Sequence, residues 1–159
     1  MNTRLSRLVP LGCDGRRELR WLLWGLAAGF AVNLRFVPVY LSARSGLYVY
    51  SRGVRQLVPG AVIAPFSELL AWSLLGCFAA AAAMAVLAAW HYLTHFRGSR
   101  SIYTMRRLPD RWELPRRCLA LPALGAAAYL LEAAALWGLD FLLYAAATPA
   151  QCLPGVWGF

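Results

Sequence analysis

The chain has 159 residues, of which 60% are hydrophobic and only 14% charged, with a mean hydropathy of +0.53. This composition excludes an ordinary soluble domain and a disordered chain, because apolar residues are abundant enough to bury in any medium that accepts them, and a bilayer is that medium. The net charge of +9 comes from 16 basic residues, all Arg, so their placement decides between a membrane protein and a nucleic-acid binder.

Residues 1–20 form a basic segment carrying Arg4, Arg7, Arg16, Arg17 and Arg20. A first membrane span is predicted over 21–42, where Asn33, Arg35 and Pro38 interrupt the apolar run. A cleaved leader is disfavoured, because 20 residues ahead of the apolar run is long for one. The connection 43–65 holds Arg44, Arg52 and Arg55, and a second span follows over 66–96. Segment 97–117 then carries Arg97, Arg100, Arg106, Arg107, Arg111, Arg116 and Arg117. A third span covers 118–147, and the tail 148–159 has no Arg. The expected fold is all-α: an integral membrane bundle of three transmembrane helices with a short interfacial helix between spans two and three. Twelve Arg against three place the N-terminus and the second loop in the cytoplasm, and the first loop and C-terminus outside, in a multi-pass protein of the inner membrane.

Within the spans, Gly25 and Gly29 have the GxxxG spacing that lets helices approach closely, with intramolecular packing expected ahead of an oligomer contact. Arg35 and Glu132 are intramembrane ionisable residues, each needing a compensating environment. Arg35 lies roughly 21 Å beyond Trp21 and Glu132 roughly 20 Å beyond Leu119, so the two match in depth; a structural ion pair between them, or snorkelling of Arg35 to the outer headgroups, is expected ahead of a substrate or proton role. Asp140, roughly 32 Å along by the same rise, is expected at the outer interface facing water. His91 and His95 share a helix face but lack a third ligand, and among Trp90, Tyr92 and Phe96 they read as interface anchors. The four cysteines show no CxxC or Cys/His metal spacing.

The loop 97–117 is the informative segment. Ile102, Met105 and Leu108 recur every three residues, predicting a short surface helix with Tyr103, Arg106 and Arg107 in the same turns, halted by Pro109; Pro115 punctuates the entry to the third span. Lipid headgroups account for the Arg count, whereas Asp110, Trp112, Glu113 and the two prolines give the loop a defined shape and mixed charge suited to a protein partner. The run Leu108, Pro109, Asp110, Arg111, Trp112, Glu113 and Leu114, followed by Arg116, Arg117 and Leu119, resembles the cytoplasmic loop of bacterial type-2 ABC exporter permeases. In that family this loop lies between spans two and three and contacts the ATPase subunit.

The resemblance implies a membrane subunit matching the N-terminal three-span half of such a permease. It departs in span number, since a full permease usually has six or more. There is no Walker A pattern and no Lys, so ATP–Mg would be held by a separate ABC ATPase and this chain carries no cofactor of its own. A second membrane subunit or a homo-oligomer, together with lipid, completes the expected partners; nucleic acid is not among them. No HExxH, GxSxG or paired intramembrane carboxylates point to an enzyme. The alternative is a small non-catalytic membrane protein that assembles with or regulates a larger membrane complex.

Overall fold

A computed structural model describes residues 15–51, 53–97 and 113–154. Three helical stretches are long and apolar enough to cross a membrane: Gly15–Ser45, Leu75–Leu93 and Cys118–Ala147. The first is a broken helix, α1 (Gly15–Asn33) followed by α2 (Phe36–Ser45). Pro38 causes the break, because its ring excludes the carbonyl four residues back and it has no N–H to donate. The Val37 N–H therefore turns to the Leu34 carbonyl at 3.3 Å and the Arg35 N–H to that of Val32 at 3.2 Å, each three residues back.

The connection after α2 carries an antiparallel hairpin of β1 (Tyr48–Ser51) and β2 (Val54–Leu57), in register Tyr48 with Leu57 and Ser51 with Val54. This short hairpin is the β element among the described residues of an otherwise mostly helical structure. Its turn works because Gly53 takes φ +77°, a left-handed conformation that costs glycine little, and the Arg55 guanidinium stacks 3.9 Å over the Tyr48 ring.

The expected second span is also divided. α3 (Phe66–Leu70) is separated by a turn from α4 (Leu75–Arg97), and Trp72 within that turn has φ +70°. A bulky residue in this region is strained by about 1–2 kcal/mol. The last long helix, α5 (Glu113–Ala147), contains the apolar stretch Cys118–Ala147 and extends back from it to Glu113, with Pro115 in its first turn. A 3-10 turn, Ala150–Cys152, follows. The predicted surface helix around residues 102–108 lies outside the described residues.

α5 is the hub. Its buried positions include Cys118, Pro122, Gly125, Tyr129, Ala133, Leu136, Asp140 and Tyr144, stepping by three and four so that Cys118, Tyr129 and Asp140 are eleven apart. An eleven-residue period matches 3.67 residues per turn and keeps one stripe on the neighbouring helices over the whole length. That stripe is no more apolar than the opposite face, where Leu131, Leu139 and Leu142 are exposed, as expected of a helix whose outer solvent is lipid.

The main hydrophobic core lies at the hairpin end of the bundle. Phe36, Tyr40, Leu47, Ile63, Phe66, Leu69, Tyr144 and Cys152 are buried together there. Phe66 is its centre, with edge contacts to Phe36, Trp137 and Phe141 at centroid distances of 5.9, 5.9 and 5.4 Å, each worth about 0.5–1.5 kcal/mol beyond area burial. Hydrogen bonds tie the surrounding segments to it. Ile63 N–H donates to the Cys152 carbonyl at 2.9 Å, Tyr144 donates to the Ala64 carbonyl at 3.2 Å, and the Tyr40 and Thr148 hydroxyls meet at 3.0 Å.

Candidate functional site

α1, α4 and α5 share a polar seam along the bundle axis. At the end away from the hairpin, His91 Nε2 on α4 lies 3.2 Å from Glu18 Oε1 on α1, both side chains largely buried. This corrects the reading of His91 as an interface anchor: it turns inward to a carboxylate. The side chain of His95 is outside the described residues.

One level on, the Tyr129 hydroxyl donates to the Leu22 carbonyl at 3.0 Å. The tyrosine fits because residue 25 is glycine; a Cβ there would stand 2.7 Å from Tyr129 Cζ. A Cβ on Gly29 would meet Cys77 Sγ and Glu132 Oε2, both at 3.0 Å, and one on Gly76 would meet the Gly29 Cα at 3.2 Å. The GxxxG residues thus line contacts within this chain, admitting side chains from both neighbouring helices.

Glu132 sits at this level. The Cys77 thiol donates to its Oε2 across 3.8 Å, a long bond between a fully buried thiol and a partly buried carboxylate. Arg35 does not reach it. Two residues past Asn33, in the α1–α2 break, Arg35 is exposed and makes no ion pair among the described residues. The matched depths held for straight helices, and the Pro38 break swings the guanidinium off the bundle axis.

Nearer the hairpin end, Asn33 Nδ2 donates to Asp140 Oδ1 at 3.5 Å, with both residues 6% exposed. The expectation that Asp140 faces water is thereby corrected: the folded hairpin end wraps the last turns of α5 and shuts water out. Asn33 Oδ1 and Asp140 Oδ2 are buried with no hydrogen-bond partner, as is the Ser73 hydroxyl, whose residue is 1% exposed.

Of the residues singled out from sequence, Gly25, Gly29 and Glu132 come together in this seam and Arg35 stays outside it. Tyr103, Arg106, Arg107, Leu108, Pro109, Arg111 and Trp112 lie outside the described residues, and of Glu113 only its place at the start of α5 is described. The sequence reading missed Asn33, Cys77, Tyr129 and Asp140 as members of one seam. The eleven-residue spacing of Tyr129 and Asp140, and the four-residue spacing of Gly25, Gly29 and Asn33, are the signals that could have found it.

The chain matches no protein-family model, no curated protein and no solved structure.

Among the described residues no group of three His, Cys, Asp or Glu side chains could hold a metal ion. Among the described residues, shallow grooves open on the outside of the bundle. One, of about 370 Å³, runs beside Trp72, Phe78 and Trp137 at the hairpin end, and another, of about 380 Å³, lies between Arg17, Arg20, Trp21 and Trp24. Both face outward from the helices, where lipid chains fit.

Proposed function

We propose that this chain is a membrane subunit of an ABC-type exporter, docking a separate ATPase through the loop 97–117. The observation that carries the reading is the continuity of that loop's motif with the last span. The run Leu108–Leu114 resembles the ATPase-contacting loop of type-2 exporter permeases, and its final residues, Glu113 and Leu114, begin the helix that continues to Ala147.

An α-helix of 35 residues, here continuous through Pro122, is about 52 Å long. A displacement at its Glu113 end is transmitted along the stripe that packs on α1 and α4. The packing also bears on what one copy does alone: Gly76 of α4 lies against the Gly29 backbone of α1, while the Tyr129 and Glu132 side chains of α5 fill the space beside Gly25 and Gly29. A transport route would form against a second membrane subunit or another copy of the chain. ATP–Mg belongs to the partner ATPase, and the role of this chain is mechanical and not catalytic.

The orientation in this reading follows the Arg distribution, with loop 97–117 in the cytoplasm and the hairpin outside. Capture of the tagged chain from its native membrane, with identification of bound proteins, tests the reading. An ABC ATPase recovered in stoichiometric amount and lost on reversing Arg106 and Arg107 to Glu supports it. Recovery of the chain with a membrane partner indifferent to those charges favours a small non-catalytic assembly protein.

A further inference from the structure

The first and second apolar stretches are both interrupted. α1 ends at Asn33 and α2 resumes at Phe36; α3 ends at Leu70 and α4 resumes at Leu75. Interrupted spans that face one another are where membrane proteins commonly place ion sites, because unwound backbone frees carbonyls and the C-terminal end of a half-helix carries partial negative charge. At the α1–α2 break, the N–H groups of Arg35 and Val37 bond three residues back. The carbonyls of Ala31 and Asn33 thereby lose the main-chain donors that an unbroken helix would supply.

Asn33 sits in this last turn of α1 and meets Asp140 of α5. Both side chains are more than nine-tenths buried, and each keeps one oxygen, Asn33 Oδ1 and Asp140 Oδ2, without a partner. An ionised carboxylate withdrawn from water requires a compensating positive charge. The nearest arginine in sequence, Arg35, is exposed and does not provide it.

We propose that Asp140 and Asn33, at the broken end of the first span, bind a dehydrated monovalent cation, sodium, through their side-chain oxygens. Oxygen atoms are the right donors for a hard cation, and a single carboxylate balances one positive charge. A calcium ion would draw on more carboxylate than is present, since Glu132 lies eight residues away on α5, about 12 Å along the helix. The site lies wholly within this chain and stands whether or not an ATPase binds the loop.

The test is the thermal unfolding of the purified full chain in detergent at pH 8, followed by tryptophan fluorescence while NaCl replaces choline chloride at constant ionic strength. The midpoint is expected to rise by about 5 °C or more between 1 and 300 mM sodium, and that rise to vanish in Asp140→Asn. An equal midpoint in sodium and choline overturns the proposal, as does an equal rise in the variant. Stabilisation by acidification alone, with no response to sodium, also overturns it and assigns a proton to Asp140 instead. Should Asp140→Asn not fold, radioactive sodium binding to the unmodified chain decides: one ion retained per chain supports the site, and none rejects it.

Discussion

The Tyr129 hydroxyl bonds the Leu22 carbonyl across the α1–α5 contact, and it occupies space that exists only because Gly25 has no side chain. The glycine and the tyrosine are one packing device. Gly25→Val is expected to destabilise the bundle by about 1–3 kcal/mol, because the ring has to leave its place between the helices. Tyr129→Phe keeps the ring and loses only the hydrogen bond, at a cost of about 0.6 kcal/mol, typical of such bonds in membranes. Unfolding in mixed micelles measures both, and a larger loss for Tyr129→Phe than for Gly25→Val contradicts this reading of the contact.

Glu132 belongs to Cys77 and not to Arg35. Double-mutant cycles separate the two pairings. Cys77→Ala with Glu132→Gln is expected to show a coupling of roughly 0.5 kcal/mol or more, while Arg35→Ala with Glu132→Gln stays within the roughly 0.3–0.5 kcal/mol seen for independent sites. Coupling confined to the Arg35 pair would restore the ion pair that depth alone suggests.

The buried contact between Glu18 and His91 joins α1 to α4 at the end away from the hairpin. Glu18→Ala removes this acceptor from His91 and is expected to cost about 1–3 kcal/mol. The loss should appear as faster amide exchange in the first turns of α1, with the aromatic core around Phe66 unchanged. Uniform acceleration across the whole chain would contradict a local role.

The three candidate spans were legible because each stretch is apolar and nearly free of charge over about the length a bilayer requires, and charge patterning supplied an expected orientation. The interior was less legible for two physical reasons. First, helix rise assigns depth only to straight helices, and Pro38 and the Ala71–Leu74 turn break two of the three stretches. That moved Arg35 off the axis and invalidated its pairing with Glu132. Second, in lipid a buried stripe need not be more apolar than the exposed one, so Tyr129 and Asp140 left no amphipathic pattern to read. The hairpin does leave a signal in the sequence, with Tyr48, Val49 and Tyr50 ahead of Gly53, but the run is too short to stand out within a connection between spans.

The sidedness proposed from the Arg count is testable at the hairpin. Ser51 is exposed at the end of β1, whereas Cys77, Cys118 and Cys152 are buried. A Cys at position 51 in a Cys13→Ser background is expected to react with a membrane-impermeant maleimide added to intact cells whose outer membrane has been permeabilised. One at position 99 is expected to react only after lysis. The reverse pattern would place loop 97–117 outside and remove it from any cytoplasmic partner.

The most direct test of the exporter reading is photo-crosslinking in the native membrane. A photoreactive phenylalanine analogue is placed at Tyr103 in the loop and, as a control, at the exposed Tyr50 of the hairpin. The expected result is a covalent adduct with an ABC ATPase from position 103 and none from position 50, with the adduct lost when Arg106 and Arg107 are reversed to Glu. Absence of an ATPase adduct from position 103, or equal adducts from both positions, contradicts docking through the loop.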